Sequence, residues 1–288
     1  MNNDIFPCLW FNGNGKEAAD FYVYLFDGKI SVDTPVVLNI EVFGQKLMLL
    51  NAGSQFEKNP SVSFFMICET EEEVQKYWQP LTDGGLVMME LGTYPWSEKF
   101  GWVQDRYGMS WQIILKPNAG YQQKIIPSLM FVHEMKGKTK EALDLYTSIF
   151  PNSETQNVLL YGALAEQIGE SRDFVQKADF TVDGFQLFAM DSSYDHKFDF
   201  NEGISLVVMT DNQQETDHYW NSLTANGGRE SMCGWLKDRF GFSWQIVPKK
   251  LIELMNDVDQ PEKAQKVIQA MMQMQKIDIA TIEAAYNS

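Results

Sequence analysis

A thirteen-residue stretch occurs twice in the chain. Residues 101–113 read GWVQDRYGMSWQI and residues 234–246 read GWLKDRFGFSWQI, with nine positions identical. Each copy reads as a β-hairpin: Trp102-Val103 and Trp235-Leu236 end one strand, and Asp-Arg-Tyr-Gly or Asp-Arg-Phe-Gly turns the chain. Ser-Trp-Gln-Ile then opens the next strand with alternating polar and apolar residues. The glycines Gly108 and Gly241 fit a position of positive φ, and Asp105 and Asp238 are placed to bond to the turn backbone. A purely structural hairpin accounts for every residue except the glutamines Gln112 and Gln245.

The same order of elements surrounds each hairpin. Residues 5–11 form an apolar strand closed by Asn12-Gly13-Asn14-Gly15. Residues 16–26 place Ala18, Phe21, Tyr22, Leu25 and Phe26 at helical spacing, and Asp27-Gly28 stops the helix. Strands at 36–43 and 46–51 follow, joined at Phe43-Gly44-Gln45. Residues 62–68 begin again, with a helix over 71–81 that has Thr70 as N-cap and Glu73 three positions on, closed by Gly84-Gly85. The second half repeats this with a strand at 124–132, where Pro127 stands as Pro7 did, a helix at 140–150 and a hairpin at 179–191 turning at Asp183-Gly184. A strand at 204–210, a helix at 213–223 and Gly227-Gly228 complete it.

This order predicts an α+β fold of two tandem domains, residues 1–118 and 124–250, each made of two βαβββ modules. Asn118-Ala119-Gly120 is the linker, and residues 251–288 form a helical tail with proline at an N1 position, Pro261. Residues 157–177 carry no decisive pattern. The tail's apolar stripe, Ala264, Val267, Ile268, Met271, Met272, Ile279 and Ile282, calls for a covering surface within the chain, or in a homodimer contact.

Composition excludes whole classes of partner. Twenty-three basic against 39 acidic residues give a formal charge of −16, so phosphate backbones and anionic membrane surfaces are poor partners. No window approaches 18 uninterrupted apolar residues, and the amino terminus has no basic or long apolar region of the kind that targets secretion. The three cysteines (Cys8, Cys68, Cys233) are widely spaced and flanked by apolar residues, which fits a soluble protein of the reducing cytoplasm.

Two βαβββ modules per domain ending in an Asp-x-x-Gly turn resemble the vicinal oxygen chelate superfamily of glyoxalase I, extradiol dioxygenases and bleomycin-resistance proteins. The chain is most similar to its PhnB-like glyoxalase group, often labelled as 3-demethylubiquinone-9 3-methyltransferase-like. Phe131 with KEALDLYTSIF, the run NEGISLVVMTDNQQETDHYW, the segment CGWLKDRFGFSWQIVP and the tail KIDIATIEAAY carry this closer resemblance. It implies a curved mixed sheet in each domain. In metal-dependent members, histidines on the first strands and glutamates on later strands hold a divalent ion. The corresponding places here are Ser63 and Ser205, Gln112 and Gln245, the neighbourhood of Pro7 and Pro127, and Asn51 or Asp191. Neither copy keeps a complete ligand set, so no metal or other cofactor is expected. The alternative is a divalent ion held by an unrecognised set such as Glu41, Glu90, Asp191 or His133, because the chain has only three histidines (His133, His196, His218) to offer.

Three functions remain open. The first is a binding module for a small aromatic or amphipathic molecule. Its clefts would be lined by Trp10, Phe11, Phe64 and Trp111 in one copy and by Phe131, Phe188 and Trp244 in the other, with Ser63, Gln112, Asp191, Ser205 and Gln245 as polar anchors. The second is a chelate-type isomerase, lyase or dioxygenase. In the third, one domain is degenerate and serves to pair the other. Methyl transfer from S-adenosylmethionine is disfavoured: Gly13-Asn14-Gly15 lacks the third glycine and the acidic partner of a nucleotide loop, and antiparallel hairpins follow it.

Overall fold

The computed structural model describes residues 4–288. The first module is β1 (Ile5–Phe11), α1 (Gly15–Leu25), β2 (Lys29–Asp33), β3 (Val37–Val42) and β4 (Gln45–Asn51). The second is β5 (Val62–Cys68), α2 (Glu71–Thr82), β6 (Leu86–Tyr94), β7 (Ser97–Gln104) and β8 (Ser110–Leu115). The third is β9 (Ile125–Phe131), α3 (Thr139–Ile149), β10 (Glu154–Leu160), the single-turn α4 (Ala165–Ile168), β11 (Val175–Val182) and β12 (Phe185–Asp191). The fourth is β13 (Ile204–Thr210), α5 (Gln213–Thr224), β14 (Arg229–Glu230), β15 (Trp235–Lys237) and β16 (Ser243–Pro248). The tail is α6 (Lys249–Met255), α7 (Pro261–Met271) and α8 (Ile279–Asn287).

The α+β, four-module expectation is met. Strand β2 carries no sequence signal because it is an edge with no fully buried residue. Residues 157–177 resolve into most of β10, the α4 turn and the start of β11. The capping expectations hold as well: the Glu73 amide donates to Thr70 Oγ1 (3.2 Å), and Pro261 opens α7.

Compactness divides the chain elsewhere than the repeat does. Pro7–Ile204 form one unit, and residues 4–6 with Ser205–Ser288 form another. The reason lies in strand pairing. The first unit holds an eight-stranded mixed sheet in the order β10-β11-β12-β9-β5-β8-β7-β6, in which β5 of the second module runs antiparallel to β9 of the third. Every residue of β5 and β9 is buried, as central strands covered on both faces require. The expected boundary between residues 118 and 124 therefore crosses a continuous sheet. The same unit contains β1 from Pro7 onward with β4, β3 and β2, in the order β1-β4-β3-β2.

Helices cover one face of the eight-stranded sheet. Tyr146 of α3 stacks on Phe180 of β11 with ring centroids 6.3 Å apart. Trp78 of α2 lies against Gly101 of β7, where a Cβ would come within 2.5 Å of its ring. Gly101 is thus glycine because a tryptophan occupies the space beside it, whereas Gly234, its counterpart in the second copy, has a φ of +84° and a Cβ there would meet the Ile246 carbonyl at 2.7 Å.

The second unit has the strand order β14-β15-β16-β13, with β13 parallel to β16. Here the tail buries part of its stripe within the chain: Val267 and Ile282 join Leu251, Leu254 and Ile277 in one core cluster, with Met271 and Val247 of β16 packed on it. Met272 remains 57% exposed.

Candidate functional site

The pleat sends neighbouring residues of each strand to opposite faces, so Trp111 and Gln112 part company. Trp111 belongs to the helix-packed face. Its ring lies 5.8 Å from Tyr22, 5.2 Å from Phe26 and 5.5 Å from Phe64. Asp105 fixes it there: Oδ2 accepts from Trp111 Nε1 (2.8 Å) and from Tyr22 OH (2.7 Å), and Oδ1 accepts from the amides of Tyr107 and Met109 (2.9 Å each). Burial holds the Asp105 carboxyl above the ordinary aspartate range against the pull of these four donors. The second copy repeats the device. Asp238 accepts from Trp244 Nε1 (2.9 Å) and from the amides of Phe240 (2.9 Å) and Phe242 (3.1 Å). The φ angles of +80° at Gly108 and +85° at Gly241 match the turn expected from the sequence.

Asp191 also lies on the helix side, not in a cleft. Its Oδ1 accepts from the Gly137 amide (2.8 Å), the Thr139 hydroxyl (2.8 Å) and the Thr139 amide (3.3 Å), and its Oδ2 accepts from the Val175 amide (2.9 Å). It therefore caps α3 and ties it to β11. Asn51 does the same for α1 through Gly15 N (2.9 Å), and a Cβ at Gly15 would meet Asn51 Oδ1 at 2.6 Å. At Gly15 the Gly13-Asn14-Gly15 loop is thus occupied by a side chain of its own module, while a Cβ at Gly13 would meet nothing within 4 Å. Trp111, Trp244 and Asp191, which the sequence placed among cleft residues, serve here as structural pins.

The face away from the helices is different. Gln112 donates through Nε2 to Ser63 Oγ (2.8 Å), and Gln245 donates to Ser205 Oγ (2.9 Å) in the second unit. Ser63 is 1% exposed and Gln112 4%. Directly across from Ser63 stands Ser128 of β9, not Pro127, which is the register partner of Phe64. Ser128 is 2% exposed, and its Oγ has no hydrogen-bond partner. Its neighbour across β12 is Phe188.

Aromatic rings surround these three polar side chains. Phe65 and Phe188 meet edge-on with centroids 5.2 Å apart, and Tyr121 lies edge-on to Phe188 at 5.4 Å. Trp102, opposite Gln112 in register, donates to Ser110 Oγ (2.7 Å). Phe65, Ile67, Phe100, Ile114, Ile126 and Phe188 form one core cluster against which Trp102, Met89, Tyr94 and Tyr121 pack. At its rim Lys177 pairs with Asp179 and sits over the Phe188 ring, 3.8 Å from its centre. Asp179 also accepts from Tyr121 OH (2.8 Å). Burial lowers the Lys177 ammonium and raises the Tyr121 phenol from their ordinary ranges.

Sequence reasoning missed Ser128, Phe65, Trp102, Tyr121, Lys177 and Asp179. The run IIPSLMF of β9 is apolar on both faces but for one serine, so it hides which residues face which way. The alternative metal set does not assemble: Glu41 pairs with Lys29 (3.1 Å) and His133 with Asp199 (2.8 Å). Among the described residues, no group of three or more His, Cys, Asp or Glu side chains is placed to hold a metal ion. Two neutral hydroxyls and an amide, one hydroxyl already bonded to that amide, are poor donors for a divalent cation, and this set does not fit one.

The family described as 3-demethylubiquinone-9 3-methyltransferase matches residues 3–114 and 123–247. No curated protein matches the chain. Among solved structures, the PhnB protein of Bacillus cereus is 34% identical and covers 38% of this chain and 98% of its own, with a TM-score of 0.36. Protein PA1353 of Pseudomonas aeruginosa is 23% identical over 38% of this chain and 96% of its own, with a TM-score of 0.35. Glyoxalase I of Zea mays is 11% identical over 84% of this chain and 91% of its own, with a TM-score of 0.56, a likeness of fold alone.

Proposed function

The chain belongs to the family described as 3-demethylubiquinone-9 3-methyltransferase, a PhnB-like branch of the vicinal oxygen chelate fold, and we propose that it binds a small aromatic or amphipathic molecule without metal. The site is the aromatic face of the first unit. The observation that carries this reading is the buried Ser63–Gln112 pair among Phe65, Phe188 and Trp102, where an ion-binding relative needs charged or imidazole donors. Polar groups at the floor of an apolar wall orient a ligand, and the rings supply the area that holds it.

The family's description names a methyl transfer. The residues do not fit S-adenosylmethionine, since the Gly13-Asn14-Gly15 loop lacks the third glycine of a nucleotide loop and its Gly15 amide, at the start of α1, already donates to Asn51. We therefore derive no step through that cofactor. The proposal includes a homodimer in a reducing cytoplasm. The three free thiols support the compartment, and burial pushes the Cys68 thiol up to about 12, where it is unreactive. Among the described residues no helix is long and apolar enough to cross a membrane.

A thermal-shift screen of neutral aromatic compounds tests the reading. A ligand at one hundred times its Kd adds about 2.7 kcal/mol to folded stability, and Phe188→Ala should abolish the shift. No shift with any compound at saturation, or stoichiometric metal in protein purified without chelators, would count against it.

A further inference from the structure

We infer that Ser128 selects the ligand of the aromatic face, and that this ligand is an uncharged aromatic carbonyl compound such as an aryl ketone; the inference rests on the small-molecule reading above. A hydroxyl left without a partner in a protein interior is rare and costly, and it points to a bond formed with something else. Ser128 Oγ is such a group.

Its setting defines the missing partner. Ser63 and Ser128 are directly opposed on adjacent antiparallel strands, so their side chains project side by side from the same face. Ser63 Oγ accepts from Gln112, which leaves its own hydroxyl proton to donate. One oxygen with two lone pairs, seated between the serines, satisfies both hydroxyls. A carbonyl oxygen meets that description, and a methyl or methylene does not.

The walls define the rest of the molecule. Phe188 flanks Ser128 in register and meets Phe65, so a planar ring joined to the carbonyl would lie against aromatic surfaces. Charge separates a ketone from a carboxylate. The two cations of this rim, Lys177, which is paired with Asp179, and Lys116, are placed over the Tyr121 and Phe188 rings and not on the serines, so an anion seated at the buried hydroxyls would give up its hydration without a charge partner there. Tyr121 lies over Phe188 and is held at the rim by a hydrogen bond to Asp179. It sits beside Gly120, whose φ is +76°. The incoming ring takes the place of the tyrosine ring.

The test uses the full chain and three probes of one shape: acetophenone, ethylbenzene and benzoate. Dissociation constants are measured by ligand-observed NMR titration for the wild type and for Ser128→Ala, with thermal unfolding of both. The wild type should bind acetophenone roughly five- to tenfold more tightly than either other probe. Ser128→Ala should bind acetophenone and ethylbenzene alike, leave ethylbenzene affinity unchanged, and unfold at or above the wild-type temperature because it loses no bond. Equal affinity for acetophenone and ethylbenzene in the wild type, a preference that survives in Ser128→Ala, or tighter binding of benzoate would overturn the inference while leaving the binding site itself standing. A clearly destabilised Ser128→Ala would also overturn it, by showing that the hydroxyl is used within the fold. Failure of all three probes to bind would remove the parent reading as well.

Discussion

At Asp105, two backbone amides, a phenol and an indole share one carboxylate, and that carboxylate joins a turn, a strand and helix α1. Removing it strands four buried donors at once. Asp105→Ala is expected to cost about 3–5 kcal/mol in urea unfolding, whereas Tyr22→Phe, which removes one donor and its partner need, should cost about 1 kcal/mol. An Asp105→Ala cost below that of Tyr22→Phe would mean the carboxylate is not the joint. The aspartate's turn role was legible in the sequence because turn chemistry is local. The role of Trp111 was not, since alternation establishes that residues 111 and 112 face apart but not which of them faces the helices. Asp191 was misplaced for a related reason: its four donors come from two separate stretches of chain, residues 137–139 and Val175, and no spacing announces them.

The hairpin shows how an element constrains its own residues. Gly101→Val would drive side-chain carbons into the Trp78 ring, and overpacking of this kind costs about 1–3 kcal/mol. The double variant Gly101→Val with Trp78→Leu should recover most of the loss, and a purely additive double variant would sink the explanation. The connection after β12 carries a different element-scale feature. His133 Nδ1 meets Asp199 Oδ1 at 2.8 Å and His196 Nε2 meets Ser192 Oγ at 3.0 Å. The Asp199 carboxylate lifts His133 above its ordinary value of 6.5, so its contribution to stability is complete below 6.5 and is lost as pH rises through the folded value. Burial lowers His196, so its contribution is present above 6.5 and is lost as pH falls through the folded value. NMR titration of the two imidazoles should give midpoints on either side of 6.5, with Asp199→Asn bringing His133 back towards it. Coincident midpoints in the wild type would contradict the pairing.

At the scale of the whole molecule, module order was readable and module pairing was not. Helix caps, glycine stops and the duplicated hairpin are local signals, so the four βαβββ units could be drawn from the chain alone. Which module completes which sheet depends on contacts between strands far apart in sequence, and β5 and β9, buried on both faces, carry no polar side to mark a boundary. That difference makes a sharp prediction about residues 1–118. The repeat treats them as a domain, yet cutting after 118 removes β9 from β5 and leaves the Val62–Cys68 strand, apolar but for Ser63, as an open edge, with Phe65 deprived of Phe188. An exposed flat apolar edge pairs with whatever strand it meets. The isolated fragment should therefore self-associate or remain unfolded, as judged by analytical ultracentrifugation and circular dichroism, and adding the separately produced residues 119–288 should restore a one-to-one complex. A folded, monomeric fragment of residues 1–118 would show that the β5–β9 junction is dispensable and that the sequence repeat, not the continuous sheet, is the unit of folding.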